Sequence, residues 1–163
     1  MSVIPLKKQV AERVVYRLQR KMDEELYHLL LGQCLKRIRK FAEEFDSDAD
    51  PMVLARAVEH DSLQDQPAFC LIIAVQGIKV VGHLLATADW YFGKRYVFVH
   101  QLDLRGVGFT PEEARAHYDI LKTWAKSMGA SGIRAGAGTD AHVRLYKSWF
   151  GFAPFRTIMK GDL

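Results

Sequence analysis

The sequence predicts a layered α/β domain in which a mixed sheet is flanked by helices and preceded by a helical N-terminal third. Two observations lead to this prediction. Through residues 1–60 apolar side chains recur at helical spacing, whereas residues 68–160 read as β-β-β-α-β-α-β, with short apolar runs between turn signals. A chain of 163 residues fits one domain, so we assign residues 1–163 to a single folding unit.

Composition narrows the class of protein. The hydrophobic fraction of 49% and charged fraction of 26% are typical of a globular domain. The net charge of +4 permits a nucleic-acid partner without favouring one, and the basic string KRIRK (36–40) reads best as a solvated helix face. The apolar run Ala68–Val75 is too short to span a membrane. Cys34 and Cys70 lack redox or zinc spacing, and Met1–Val10 lacks a signal-peptide core, so we expect a cytoplasmic protein with reduced thiols.

The N-terminal part is predicted from its periodicity. The apolar positions of Lys7–Phe45 match a helix, but the stretch is too long for one uncapped helix, so we expect a break near residues 22–25 or at Gly32. Asp50 and Pro51 then predict the N-cap and first residue of a further short helix.

Three strands are predicted next. The runs 68–75 and 78–88 flank Gln76-Gly77 and resemble a hairpin, and residues 95–104 form the third strand. Regular alternation along this third strand predicts two faces. One face would carry Tyr96, Phe98, His100, Leu102 and Leu104, and the other Val97, Val99, Gln101 and Asp103.

The strongest helix signal follows the third strand. Thr110 as N-cap, Pro111 as first helical residue and Glu113 at the third position make a capping box, and Gly129 marks the helix end. Local chemistry alone therefore fixes where this helix begins.

The C-terminal stretch is predicted from similar signals. Residues 132–138 read as a short strand, after which Thr139 or Asp140 caps a last helix that stops at Gly151. Residues 152–160 read as a closing strand.

Three stretches carry a resemblance to a known family. Gly82 lies in the second strand like the glycine of a "VG" strand, TWAKSMGA (123–130) matches an "xWAxxxGA" helix ending, and HVRLYKSWFGF (142–152) is similar to "AxxLYxKxGF". With the order of elements, they make residues 68–160 resemble the GNAT acyltransferase superfamily. The resemblance implies a first strand and two variable helices before residue 60, and Ser2-Val3-Ile4 is the only candidate for that strand.

The resemblance implies a site for acetyl-CoA. In the family the long strand splays from its neighbour, so the backbone around Leu102 and Leu104 would pair with the pantetheine arm. The pyrophosphate sits on a (Q/R)xxGx(G/A) loop, which permits two registers here. In the first, the ligands would be Arg105, Gly106, Val107, Gly108, Phe109 and Thr110.

The second register places the loop motif on residues 109–114. There Pro111 removes a donor N–H, and Glu112 and Glu113 would repel a phosphate. Thr139 or Asp140 stands where the family often has Asn at the head of the last helix, so Thr139 is a further cofactor candidate, although an N-cap role explains it as well.

The catalytic candidates also follow from the resemblance. His100 lies where the family often has Glu, and an imidazole titrates near neutral pH, so it is the first candidate for the base. Asp103 and His83 are alternative bases. Tyr146 matches the tyrosine that often protonates the departing sulfur, but one extra residue precedes Gly151 compared with YxxxGF, and helix packing is its competing role.

Two functions remain open from the sequence. The resemblance implies an acyl-CoA-dependent N-acyltransferase, which would transfer an acetyl group directly from acetyl-CoA to a primary amine. The alternative is a non-catalytic structural or assembly protein on the same fold that has lost cofactor binding and contacts a protein partner. The helical N-terminal third, the Glu112-Glu113 pair and the extra residue before Gly151 favour the alternative.

Overall fold

The computed structural model describes residues 12–46, 49–105, 108–137 and 139–154. Its helices and strands follow one another along the chain. They are β1 (Arg13–Arg17), α1 (Glu24–Phe45), α2 (Pro51–Ser62), β2 (Phe69–Gln76), β3 (Lys79–Tyr91), β4 (Lys94–Asp103), α3 (Pro111–Ser127), β5 (Gly132–Ala135) and α4 (Asp140–Phe150).

The described strands form one mixed sheet in the order β1-β2-β3-β4-β5. Strands β1 to β4 are antiparallel to their neighbours, whereas β5 is parallel to β4. The sheet separates two apolar cores: α1 and α2 cover one face, and α3 and α4 cover the other. The predicted mixed sheet flanked by helices is confirmed, and the single domain over residues 1–163 stays a prediction.

The prediction of helix at residues 13–17 is wrong, because this stretch is strand β1. Val14 pairs with Val75, and Arg17 pairs with Ile72 of β2. Val14 fits the helical spacing of the apolar residues around it. A β-branched residue beside an open strand edge, however, gains more from pairing with that strand than from forming a helix. The alternative first strand, Ser2-Val3-Ile4, lies outside the described residues.

The first helix begins where a break was expected. Asp23 is its N-cap, and the Asp23 carboxylate accepts a hydrogen bond from the Leu26 N–H at 3.0 Å. Gly32 lies inside α1 and does not interrupt it. The cap that Asp50 and Pro51 predicted for α2 is confirmed.

The predicted closing strand is not formed in its described part, Phe152–Pro154, and residues 155–160 lie outside the described residues. Gly151 ends α4 in the left-handed conformation, with φ of 67°. The next N–H, from Phe152, then donates to the carbonyl of Tyr146 at 3.1 Å. This helix-ending bond and the packing of the Phe152 ring against α4 hold the chain beside the helix instead of the sheet.

A β-bulge changes the faces of β4. Leu85 pairs with Gln101 and Ala86 pairs with Val99, so His100 is an extra residue without a partner on β3. An extra residue reverses the alternation beyond it. The predicted faces are therefore wrong after the bulge: Leu102 and Leu104 join Val97 and Val99 in the α3/α4 core, whereas Gln101 and Asp103 turn toward α1.

Candidate active site

The candidate site begins where β5 separates from β4. Pairing between these parallel strands ends at Val99 and Ala135, although β4 continues to Asp103. On its other side, Leu102 remains paired with Leu84 of β3. The edge of β4 after Val99 therefore has no strand beside it in the described part of the chain. Such an edge can pair with an extended ligand through its backbone N–H and C=O groups.

Leu102 and Leu104 contribute only backbone to this edge. Their side chains are buried in the α3/α4 core, with 2% and 8% exposure. Their predicted role in pairing with a pantetheine arm requires only backbone groups and stays a prediction.

His100 lies at the start of the open edge, on the α1/α2 face. Its Nε2 is 2.7 Å from the hydroxyl oxygen of Thr87, and that hydroxyl donates to the Asp89 carboxylate at 2.8 Å. A threonine hydroxyl has one proton, and an ionised carboxylate can only accept. Nε2 of His100 must therefore carry the donated proton, which leaves a lone pair on Nδ1.

The surroundings keep the imidazole of His100 neutral near pH 7. Partial desolvation lowers its pKa, although the ring reaches solvent, and the carboxylates of Asp89 and Asp46 oppose that shift. A neutral imidazole with one free nitrogen is the form that a general base needs.

His83 is buried beneath the bulge, where no substrate can reach it. Its side chain has 0% exposure, and its Nε2–H donates to Oε1 of Gln101 at 2.8 Å. The amide nitrogen of Gln101 donates in turn to the Ile38 carbonyl of α1 at 3.2 Å. Burial lowers the pKa of His83 to about 4. This chain of hydrogen bonds attaches the bulged strand to α1.

Asp103 lies in a network of ion pairs on the same face. Its carboxylate contacts Arg37 at 3.0 Å and Arg105 at 2.9 Å, and Arg105 also contacts Glu44 at 2.9 Å. Burial alone would raise the pKa of Asp103, but the two guanidinium groups outweigh it, and the pKa is lowered. The ionised carboxylate is thus bound to cations and would be a weak base.

Arg105 points toward α1. Besides its two carboxylates, its guanidinium lies 4.6 Å from the ring centroid of Phe45. Hydrogen bonding to Asp103 raises the pKa of the Arg105 guanidinium above its usual value. The predicted contact between Arg105 and a pyrophosphate stays a prediction, as do the roles of Gly106 and Val107, which lie outside the described residues.

The predicted capping box at the start of α3 is confirmed. The Thr110 N–H donates to Oε2 of Glu113 at 2.8 Å, and the Glu113 N–H donates to the Thr110 hydroxyl at 3.2 Å. Arg13 of β1 contacts the capping box and the residues just before it. Its Nε lies 2.9 Å from Oε1 of Glu113, its Nη2 donates to the Gly108 carbonyl at 3.1 Å, and its guanidinium covers the Phe109 ring.

Tyr146 lies in the α3/α4 core. Its side chain stacks on Phe152, with ring centroids 5.7 Å apart, and burial raises the pKa of its hydroxyl. Packing thus accounts for the position of this ring, and its role as an acid stays a prediction.

Thr139 is the N-cap of α4, because its hydroxyl accepts a hydrogen bond from the His142 N–H at 3.2 Å. The His142 ring reaches Phe41 and Phe45 of α1, with centroids 5.9 and 5.6 Å away. Because α1 and α4 cover opposite faces of the sheet, this contact passes the edge of β4 beyond the point where β5 leaves it. The rings of Phe41, Phe45 and His142 therefore line the space beside the open edge of β4.

Comparison with solved structures identifies the fold. An aminoglycoside N-acetyltransferase, AAC(6′)-Iy in complex with CoA, aligns over 97% of this chain and 99% of its own, with a TM-score of 0.67 and 12% identity. A GNAT family acetyltransferase from Staphylococcus aureus aligns over 93% of this chain and 98% of its own, with a TM-score of 0.57 and 10% identity. The chain has the GNAT fold.

A third similar structure extends the agreement. An aminoglycoside acetyltransferase from an uncultured soil metagenomic sample has a TM-score of 0.61 and 17% identity, over 93% of this chain and 97% of its own. No family model matches the sequence, and no curated protein matches it. The predicted resemblance to GNAT proteins is therefore confirmed at the level of fold, which includes the two N-terminal helices.

The two ends of a CoA molecule would meet different surroundings in this fold. The open backbone edge of β4 fits a pantetheine arm, which is a chain of amide groups. The start of α3 does not fit a pyrophosphate as it stands, because the Glu113 carboxylate already occupies the acceptor position on the Thr110 N–H. The choice between the two registers of the loop motif stays a prediction, because Gly106 and Val107 of the first register lie outside the described residues.

Sequence reasoning missed three residues of the site. Thr87 and Asp89 are two positions apart on β3, so alternation could have placed them on one face. Their partner was hidden, because the register that pairs Thr87 with Phe98, two residues before His100, cannot be recognised from spacing. Arg13 was missed because β1 was not predicted.

The described residues contain no group of three or more His, Cys, Asp or Glu side chains that could hold a metal ion. Among the helices of that same part of the chain, none is long and apolar enough to cross a membrane.

Proposed function

We propose that the chain is a divergent GNAT superfamily member that acts as an acyl-CoA-dependent N-acyltransferase, with acetyl-CoA as donor and a primary amine as acceptor. The observation that supports it most is the position of His100. Its unprotonated Nδ1 lies at the mouth of the open β4 edge, and its tautomer is fixed by Thr87 and Asp89.

His100 would take the proton that the amine releases as it forms the new N–C bond. The proton would go to Nδ1, and the resulting imidazolium would keep its Nε2–H bond to Thr87, beside the negative charge of Asp89. A bound acyl thioester supplies the carbonyl carbon and the thiolate leaving group. Tyr146 is the proposed acid, since its raised pKa keeps the hydroxyl protonated.

The charges around His100 favour a cationic acceptor. Asp89 and Asp46 both act electrostatically on the imidazole, so an ammonium group approaching it would be attracted. Similar structures include an aminoglycoside acetyltransferase in complex with sisomicin. Aminoglycosides and simple polyamines therefore belong in the first acceptor screen.

The test is a thiol-release assay with acetyl-CoA and this amine panel. We expect turnover, and we expect His100→Gln to lower kcat by about 10²–10⁴-fold. The control is His28→Gln, an exposed histidine of α1 outside the site. Equal kcat in the His100 variant and the wild type would rule out His100 as the base.

A second function is favoured by the start of α3. Since Glu113 fills the anion position there, the chain could be a non-catalytic GNAT-fold structural or assembly protein that binds a protein partner. Calorimetric titration with acetyl-CoA and CoA separates the two. Absence of binding at millimolar concentration, together with absence of turnover, would support this function over the first.

We also propose a cytoplasmic location. Cys34 and Cys70 are both free and buried, and burial raises the pKa of each thiol to about 12. Such thiols are typical of proteins from reducing compartments.

A further inference from the structure

Most backbone N–H groups at the start of α3 already donate hydrogen bonds within this turn. The Thr110 N–H binds Glu113, Pro111 has no N–H, and the Glu113 and Ala114 N–H groups bind the hydroxyl and the carbonyl of Thr110. Of residues 110–114, only Glu112 has an N–H that is used neither by the capping box nor by the first helical hydrogen bond. A phosphate at a helix start normally needs several such groups.

The Glu113 carboxylate is held firmly in that position. One oxygen accepts from the Thr110 backbone, and the other pairs with Arg13 of β1. Both side chains of the pair are well covered, with exposures of 16% and 22%. To admit a pyrophosphate here, the chain would have to break the capping box and separate Arg13 from its carboxylate.

The electrostatic balance points the same way. Glu112 adds a second negative charge to the first turn of α3. Arg105, the cation predicted to bind phosphate, already contacts Asp103 and Glu44. Two carboxylates beside the loop and a compensated guanidinium disfavour a dianionic ligand.

The opposite end of the same site remains suited to a donor. The open edge of β4 beyond Val99 offers backbone groups that neither a carboxylate nor a capping bond uses. An amide-containing arm that pairs with this edge would place a thioester near His100. Recognition of the arm therefore does not depend on the start of α3.

We propose that this chain recognises its acyl donor through the pantetheine arm alone, so that acyl-pantetheine and acyl-phosphopantetheine thioesters serve as well as acyl-CoA. The proposal rests on the proposed acyltransferase function and names its donor class. The nucleotide pyrophosphate adds no affinity, because Glu113 takes its place.

The test compares CoA, phosphopantetheine and pantetheine by calorimetric titration of the full chain, with acetyl-pantetheine and acetyl-CoA compared in the thiol-release assay. We expect dissociation constants within about threefold of one another, and similar kcat/KM for the two donors. CoA binding more than about 100-fold tighter than pantetheine would overturn this proposal and leave the acyltransferase function standing. Failure of all three ligands to bind would overturn both.

A charge-neutral variant tests the role of Glu113. Glu113→Gln keeps an oxygen for the Thr110 N–H but removes the negative charge beside Arg13, so we expect CoA to bind about tenfold more tightly while pantetheine is unchanged. Glu112→Gln removes the same charge from the same turn without touching the capping box, and it should change CoA affinity much less. Unchanged CoA affinity in Glu113→Gln would refute the role of this carboxylate, and the wild-type ligand comparison does not depend on how well either variant folds.

Discussion

Protonation of the buried His83 should destabilise the protein as the pH falls from 7 to 4. The hydrogen bonds explain why the proton is costly. Gln101 offers its oxygen to His83 because its nitrogen is used by Ile38, so the one proton of neutral His83 lies on Nε2. A second proton would have to go to Nδ1, which is buried without a hydrogen-bond partner among the described residues. The imidazolium would therefore form in a buried site that offers no acceptor for its second N–H.

The size of the effect follows from the pKa. His83 titrates at about 4 when folded, and an unfolded histidine titrates near 6.5. Above pH 6.5 both states are neutral, and His83 adds no pH dependence. Between these values the unfolded chain binds the proton and the native chain does not, so the free energy of unfolding decreases as the pH is lowered. At about 1.4 kcal/mol for each unit, the loss approaches 3 kcal/mol by pH 4.

The assay is urea unfolding from pH 7 to 4 on the wild type and on His83→Gln. Glutamine can still donate to Gln101 but does not titrate, so the stability of the variant should lack this dependence on pH. Asp103, Arg37 and His117 also act on His83, and they remain in both proteins. We expect the difference in unfolding free energy between wild type and variant to fall by about 3 kcal/mol across the range. A difference that stays constant with pH would refute the reasoning.

Three further substitutions test the site and its support. Thr87→Val removes both hydrogen bonds of the hydroxyl and should lower kcat by about tenfold and shift the acidic limb of the pH profile, whereas Thr87→Ser should keep both. Asp103→Asn should cost about 2–4 kcal/mol in urea unfolding, because it leaves the Arg37 charge partly buried and uncompensated. We expect this variant to retain its kcat, and a large loss of kcat would instead make Asp103 the base. A Cβ at Gly82 would lie 2.7 Å from Cζ of Phe109, so Gly82→Ala should cost about 1–3 kcal/mol in thermal unfolding, and Phe109→Leu should restore part of it if overpacking is the cause.

The parts of the fold predicted correctly from sequence are those fixed by local chemistry. The capping box of Thr110 and Glu113 and the cap of Asp50 use residues within three positions of each other, so their geometry is encoded where they occur. Gly151 ends α4 for the same reason, since the left-handed conformation suits glycine.

The errors arose where distant segments decide the outcome. Val14 fits a helical stripe as well as a strand, and pairing with the edge of β2 selects the strand. The role of Arg105 was similarly hidden. Its sequence context suggests a phosphate loop, but Glu44 lies 61 residues away in the chain and cannot be recognised as its partner from spacing.

The bulge at His100 shows how one such error affects the reading of a whole site. Without an extra residue, Gln101 and Leu102 would exchange faces: Gln101 would enter an apolar core, and Leu102 would meet the α1 side where polar groups collect. With it, Gln101 reaches His83 and Ile38, and Asp103 reaches Arg37, so four polar groups find partners on one face. The hydrogen bonds that β4 forms with α1 therefore stabilise the bulge, while His100 reaches Thr87 from the face of Phe98, which pairs with Thr87. Alternation along β4 therefore suffices to predict the face of His100, whereas the buried polar groups that support it on that face depend on the one-residue insertion.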